Sequence, residues 1–247
     1  MQHISVLSKR VNILISGVVL STGLYGTLPS DKFDDGVTVR LAATQETSVQ
    51  KYKEPETFSI TNVVESDAHA KEVIMKALTR TDIKPRLDDE GGVYGNLFAS
   101  QPHLVDVILK ASKTFSIHPY FLTAVLMQES GNGTSYSLYE RNNTSGMRCM
   151  SPDSIRAIKQ VYPDYGEVGC VRTADHGEYA TFSSIEDCIV YTSWLFRNVY
   201  ANQGLLTVEE IGRVYAPVGD VGDPEGFNEE WTAGVKSKLI QMGVQNL

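Results

Sequence analysis

Much of what would mark a familiar chemistry is missing from this sequence. It has three cysteines, Cys149, Cys170 and Cys188, and neither a C-x-x-C pair nor an H-E-x-x-H element, so no zinc site is expected. It lacks a P-loop and a dinucleotide fingerprint, which removes the commonest nucleotide-binding devices. His176 follows Asp175, but without a Gly-x-Ser-x-Gly elbow the pair does not point to a serine hydrolase. No basic stripe appears, and 22 Lys and Arg stand against 30 Asp and Glu, for a net charge of -8. Nucleic acid is therefore not an expected partner, because neutralising phosphates needs concentrated cations. The acidic stretch GDVGDPEGFNEE lacks EF-hand spacing and reads as a solvated connection. Repeats and heptads are absent too. No cofactor and no metal are expected.

What remains is an ordinary globular composition, 42% hydrophobic and 21% charged over 247 residues, enough for one substantial domain plus an appendage. Long apolar runs are confined to the N-terminus, where Lys9 and Arg10 precede VNILISGVVL and then the small residues of STGLYG. Residues 1–28 thus read as a secretory signal peptide or a membrane anchor, and both remain open. Export is expected in either case. Residues 29–65 are polar and show no sustained periodicity, the signature of a flexible linker. The folded domain is expected over 66–247, with its motif-bearing core over 101–247.

Within it, Ala70, Val73, Ile74, Ala77 and Leu78 share one face of a first helix starting near Ser66. TDIKPRLDDEGGVYG follows as a loop. Helices are expected over His103–Lys113 and over Pro119–Gln128, with Pro119 suited to a first turn, and another begins at Ser151-Pro152-Asp153. Ser183 with Glu186, and Thr207 with Glu210, form capping-box patterns ahead of two more. Ile185, Cys188, Ile189, Thr192, Leu195, Phe196 and Val199 repeat at core-facing spacing. FNEEWTAGVKSKLIQMG supplies the last helix and GEYATF the best strand candidate. The fold class is mainly α, with a small β element. Cys188 falls on an apolar face and should be a buried thiol, while Cys149 and Cys170 bracket the SPDSIRAIKQVY helix and are expected to pair after export.

One acid stands out. In LMQESGNG, Glu129 continues the apolar stripe of Leu122, Val125 and Leu126 and lies at a helix C-terminus just before Gly131. Desolvation and the helix dipole both disfavour its charge there, which suits a general acid poised to protonate a glycosidic oxygen.

The segment SIHPYFLTAVLMQESGNGTS resembles the catalytic helix of lysozyme-like peptidoglycan hydrolases, whose general acid is the Glu of an E-S-G turn. NGTS followed by NNTSGMR is similar to the W-G-x-S and N-N-L-F-G-I-K of the bacterial endo-β-N-acetylglucosaminidase family, glycoside hydrolase family 73. EYATFSSIEDCIVYTSWLF and YAPVGDVGDPEGFNEEWTAGV resemble that family's later tyrosine-rich segment and its closing Y-A-P, Asn and Trp pattern. Thr144, Ser145 and Asn132 depart from it, standing where Leu, Phe and Trp are usual. The resemblance implies an α+β lysozyme-like fold and an exported bacterial or phage-related enzyme acting on peptidoglycan glycan strands at the outer face of the membrane or in the cell wall. It also implies Glu129 and Tyr179 as catalytic residues and Asn142, Asn143 and Gly146 as the turn of the substrate-binding groove. A second acid is sought between Cys149 and Gly177 and just beyond, where Asp164, Glu167, Asp175 and Glu178 are candidates, unless the substrate's acetamido group is the nucleophile. Two alternatives stay open: a lytic transglycosylase, and a catalytically silent wall-binding or assembly protein on the same fold.

Overall fold

The computed structural model describes residues 57–247 except 63, 65, 89–90, 174–176, 221–222 and 224–225. The expected signal or anchor and most of the linker lie outside the described residues. Among the described residues no helix is long and apolar enough to cross a membrane.

The body is mainly helical. Helix α4 (Pro119–Glu129) is its centre, and the sequence explains why it starts where it does: Pro119 presets the first turn, and the His118 ring accepts a hydrogen bond from the Tyr120 amide at 3.1 Å. Burial holds the His118 pKa down to about 4, so that acceptor nitrogen stays unprotonated at neutral pH. From Phe121 to Met127 every side chain of α4 is buried. The stripe expected on one face is thus the whole circumference, because neighbours cover all sides: α1 (Asp67–Leu78), α3 (Leu104–Phe115), α7 (Ile185–Leu195) and α9 (Trp231–Gln241). Helix α8 (Val208–Tyr215) opens with the Thr207–Glu210 capping box and packs on α9. Gly212 of α8 makes that approach close, since a Cβ there would lie 3.2 Å from the Trp231 indole.

Two small antiparallel hairpins complete the fold. Strands β1 (Arg86–Leu87) and β2 (Val93–Tyr94) pair within the stretch expected to be all loop. Next come the short helices α2 (Leu97–Ser100) and α5 (Tyr136–Arg141), and then α6 (Pro152–Val161). Strand β4 (Gly177–Phe182) is the GEYATF segment, and it pairs with β3 (Val168–Thr173) from Val168↔Phe182 to Thr173↔Gly177. Strand β3 is hard to see in sequence because most of it is exposed, and no buried face imposes alternation. Residues 147–149 run beside β4, with Ala180 N–H donating to Met147 O at 2.9 Å and an Arg148↔Tyr179 bridge. This is the α+β layout implied by the lysozyme-like resemblance.

Two details differ from expectation. The cap of α7 is Ser184, whose hydroxyl accepts from Asp187 N–H at 3.2 Å, while the Ser183 hydroxyl donates to Glu167 O. The domain also begins before Ser66. Ile60 is fully buried and Phe58 nearly so, and their amides donate to Leu206 O and Asn246 O at 2.9 Å. Two apolar residues one apart on an extended segment are too few to register as periodicity, so the linker's last residues were indistinguishable from the rest.

Cys149 and Cys170 are joined, with Cα atoms 5.3 Å apart, and Cys188 is a buried free thiol. Reducing the bond in the folded chain should cost about 3 kcal/mol by loop entropy. Urea unfolding with and without reductant measures this, and coincident midpoints would contradict it.

Candidate active site

Glu129 is the last residue of α4 and lies in a cleft of about 770 Å³. The ends of several elements meet there: the 145–149 segment, α7, the Tyr215 end of α8 and the Glu230–Trp231 start of α9. Trp231 Nε1–H donates to Glu129 Oε1 at 2.6 Å. The Tyr215 ring lies 5.1 Å from that indole, and its hydroxyl donates to Ser145 O at 3.2 Å. Burial pushes the Glu129 pKa up to about 7, against the opposing pull of the hydrogen bond from Trp231 and of the nearby Tyr215 hydroxyl. Desolvation wins because one carboxylate with few donors cannot recover its hydration. Tyr215 is itself held well above the usual phenol range, first by burial and then by the nearby Glu129 charge.

Gly146 sits beside the acid. Its φ of 60° is left-handed, and a Cβ there would stand 3.8 Å from Glu129 Oε2. Gly146 is exposed and lines the cleft. Asn142 and Asn143 do not line it. Asn142 closes α5 in the left-handed region and donates to Phe182 O at 3.0 Å. Asn143 is fully buried; its amide donates to Met147 O and Ala180 O at 2.9 Å, and its oxygen accepts from Met147 N–H at 2.8 Å. Both side chains fasten the turn to β4, so within the expected turn it is Gly146 that faces the cleft.

Thr144 and Ser145 are buried and replace apolar packing with a polar chain. Thr144 Oγ1 lies 3.2 Å from Cys188 Sγ and 3.1 Å from Ser145 Oγ, which is 3.1 Å from Thr192 Oγ1. Every hydroxyl has a partner, so the departure from the family pattern leaves no unsatisfied group behind the acid.

Tyr179 is outside the cleft lining. Arg148, which does line the cleft, stacks over its ring at 4.3 Å. Of the acids sought in the β lobe, Asp164 is exposed, Glu167 pairs with Lys159 at 3.0 Å and Glu178 with Arg172 at 3.0 Å. None of these three lines the cleft, and Asp175 lies outside the described residues. Among the described residues the acid that shares the cleft with Glu129 is Glu230. Sequence reading did not single out Glu230, Trp231 or Tyr215, although the last two belong to the closing segment of the resemblance. Cys149, Cys170 and Glu178 are grouped closely enough to hold a metal, but the two sulfurs are spent in the disulfide.

No family model matches the chain, and no curated protein does. Among solved structures it is similar to three of S. aureus autolysin E. A catalytic mutant in complex with the disaccharide NAG-NAM has a TM-score of 0.40 at 12% identity, covering 76% of this chain and 73% of that one. A complex with the muropeptide NAM-L-Ala-D-iGlu has a TM-score of 0.35 at 11% identity, covering 74% and 96%. A third autolysin E structure has a TM-score of 0.36 at 13% identity, covering 78% and 88%.

Proposed function

We propose that the protein is an exported peptidoglycan hydrolase that cleaves the N-acetylglucosaminyl-β-1,4-N-acetylmuramic acid bond, with Glu129 as general acid. The observation that carries this reading is a cleft carboxyl whose burial raises its pKa to about 7 while Trp231 fixes its orientation. Because Oε1 accepts the indole N–H, the acid proton belongs on Oε2, on the Gly146 side. From there it passes to the glycosidic oxygen as the bond to the anomeric carbon breaks. The acetamido oxygen of the same sugar then closes on that carbon. Water opens the ring so formed, giving up its proton to the Glu129 carboxylate and leaving a free reducing end. In this route the substrate supplies its own nucleophile, and Glu230, which lines the same cleft, orients the water. Tyr179 acts through Arg148 in this scheme, as a positioning residue. The Cys149–Cys170 disulfide suits an oxidising compartment outside the cytoplasm.

Mass spectrometry of digested, borohydride-reduced peptidoglycan should show fragments ending in reduced N-acetylglucosamine. Fragments ending in 1,6-anhydro-N-acetylmuramic acid would make the protein a lytic transglycosylase. Undigested wall would make it a silent binding protein.

Trp231→Phe tests the setting of the acid. The lost hydrogen bond favours the charged form, so its removal should shift the alkaline limb of the pH–rate profile up by about one unit, with turnover down by roughly tenfold from lost orientation. An unmoved limb would mean that the indole does not tune Glu129.

A further inference from the structure

Helix α9 grips the end of α4 at two successive residues. Glu129 accepts from the Trp231 indole, and Gln128 just before it, which also lines the cleft, accepts at its carboxamide oxygen from Lys238 Nζ at 2.7 Å. An ammonium only donates, so the atom facing it must be the amide oxygen, and the orientation of the carboxamide follows. The same carboxamide lies on the α9 backbone at Gly234, where a Cβ would stand 2.6 Å from Gln128 Cδ and 2.7 Å from Nε2. Any side chain at 234 would have to displace it.

Trp231, Gly234 and Lys238 follow at i, i+3 and i+7 and so share one face of α9. The two hydrogen bonds of that face are two turns apart, about 10 Å along the helix. Apolar packing through the buried Val235 and Leu239 tolerates small slides, whereas directional bonds that far apart fix both the rotation of α9 and its advance past α4. Lys238 is an unusual group to find in this place. Burial, and then the Arg80 charge, lower its pKa, and among the described residues no carboxylate pairs with it. Its partner is a neutral amide, in a charge-assisted bond. It does not touch the cleft, but borders a second cavity of about 580 Å³ that shares no lining residue with the first.

Resting on the function proposed above, we infer that Gln128 and Lys238 are positioning residues for the general acid, locking α9 against α4 so that the Trp231 indole is held on Glu129. Gly234 leaves the room that this lock needs.

Lys238→Met tests it from outside the cleft, since Met keeps most of the apolar stem and loses only the donor. In the full chain, carbon-13 NMR of the Glu129 carboxyl should show its pKa raised by about half a unit, roughly threefold in the ionisation constant, because a slackened indole bond stabilises the charge less. The Trp231 indole N–H signal should move upfield while that of Trp194, the other tryptophan, stays put. Lys238→Arg should restore both signals, and Gly234→Ala should act like Lys238→Met. Added to Trp231→Phe, Lys238→Met should shift Glu129 no further, because the two act through one contact. An unmoved Glu129 pKa, an equal shift in the Trp231→Phe background, or a Lys238→Arg chain that behaves like Lys238→Met would overturn the inference, even if stability falls. These signals need no substrate. Shifts as expected in a protein that does not turn over peptidoglycan would sink the hydrolase reading and keep the lock, and turnover with an unmoved Glu129 would do the reverse.

Discussion

Replacing Glu129 with Gln should lower turnover of purified peptidoglycan by ~10²-fold or more, because the amide keeps the hydrogen bond from Trp231 but has no proton to give the leaving oxygen. The same substitution should change stability in the opposite sense. The folded pKa of about 7 lies above the ordinary 4.5, so the folded state holds a proton that the unfolded chain releases. Stability contributed by the neutral acid is whole below pH 4.5, is lost as pH rises toward 7, and is absent above it. Gln carries no such dependence. Glu129→Gln should therefore match the wild type at pH 4 and exceed it at pH 8 by up to about 3 kcal/mol in urea melts. A variant with near wild-type turnover would remove Glu129 from the chemistry. A variant no more stable at pH 8 would show that the carboxyl is not desolvated.

The second large effect concerns where the domain begins. A fragment starting at Ser66 loses Phe58 and Ile60 from the core, together with the His118 amide's bond to Ile60 O at 2.5 Å. Burying each of those side chains is worth ~1.5–3 kcal/mol, so the loss is roughly 3–6 kcal/mol. That is a large fraction of the about 5–15 kcal/mol that keeps a domain folded. The His118 cap starts the helix that ends at Glu129, so activity should fall along with stability. A fragment starting at Thr57 should melt as the full chain does. Equal urea midpoints for the two fragments would show that the 57–62 segment contributes nothing.

Helices were legible where a cap and an apolar period coincide, as at Ser66, Pro119, Ser151 and Thr207. They were missed where the element is a turn or two long: α2 and α5 bury one side chain each, which makes no pattern. The desolvated place of Glu129 at the end of α4 was legible because an apolar stripe and a helix terminus coincide at one residue. Its partners were not. Tyr215 and Trp231 reach it from helices far along the chain, and no local rule says which aromatics converge on an acid. Asn142 and Asn143 illustrate the same limit: a turn can be read from two adjacent Asn, but that their amides fasten it to β4 cannot. Acids such as Glu167 and Glu178 look available in sequence until their ion pairs with Lys159 and Arg172 are seen.

The claim on which the rest depends is that the cleft holds Glu129 as a carboxylic acid up to near-neutral pH. Carbon-13 NMR of the glutamate side-chain carboxyls, titrated from pH 3 to 9 and assigned by comparison with Glu129→Gln, reads this directly. One carboxyl, missing from the variant, should titrate near 7. A Glu129 signal titrating near 4.5 would contradict it, because an acid ionised at that pH has no proton to give at neutrality.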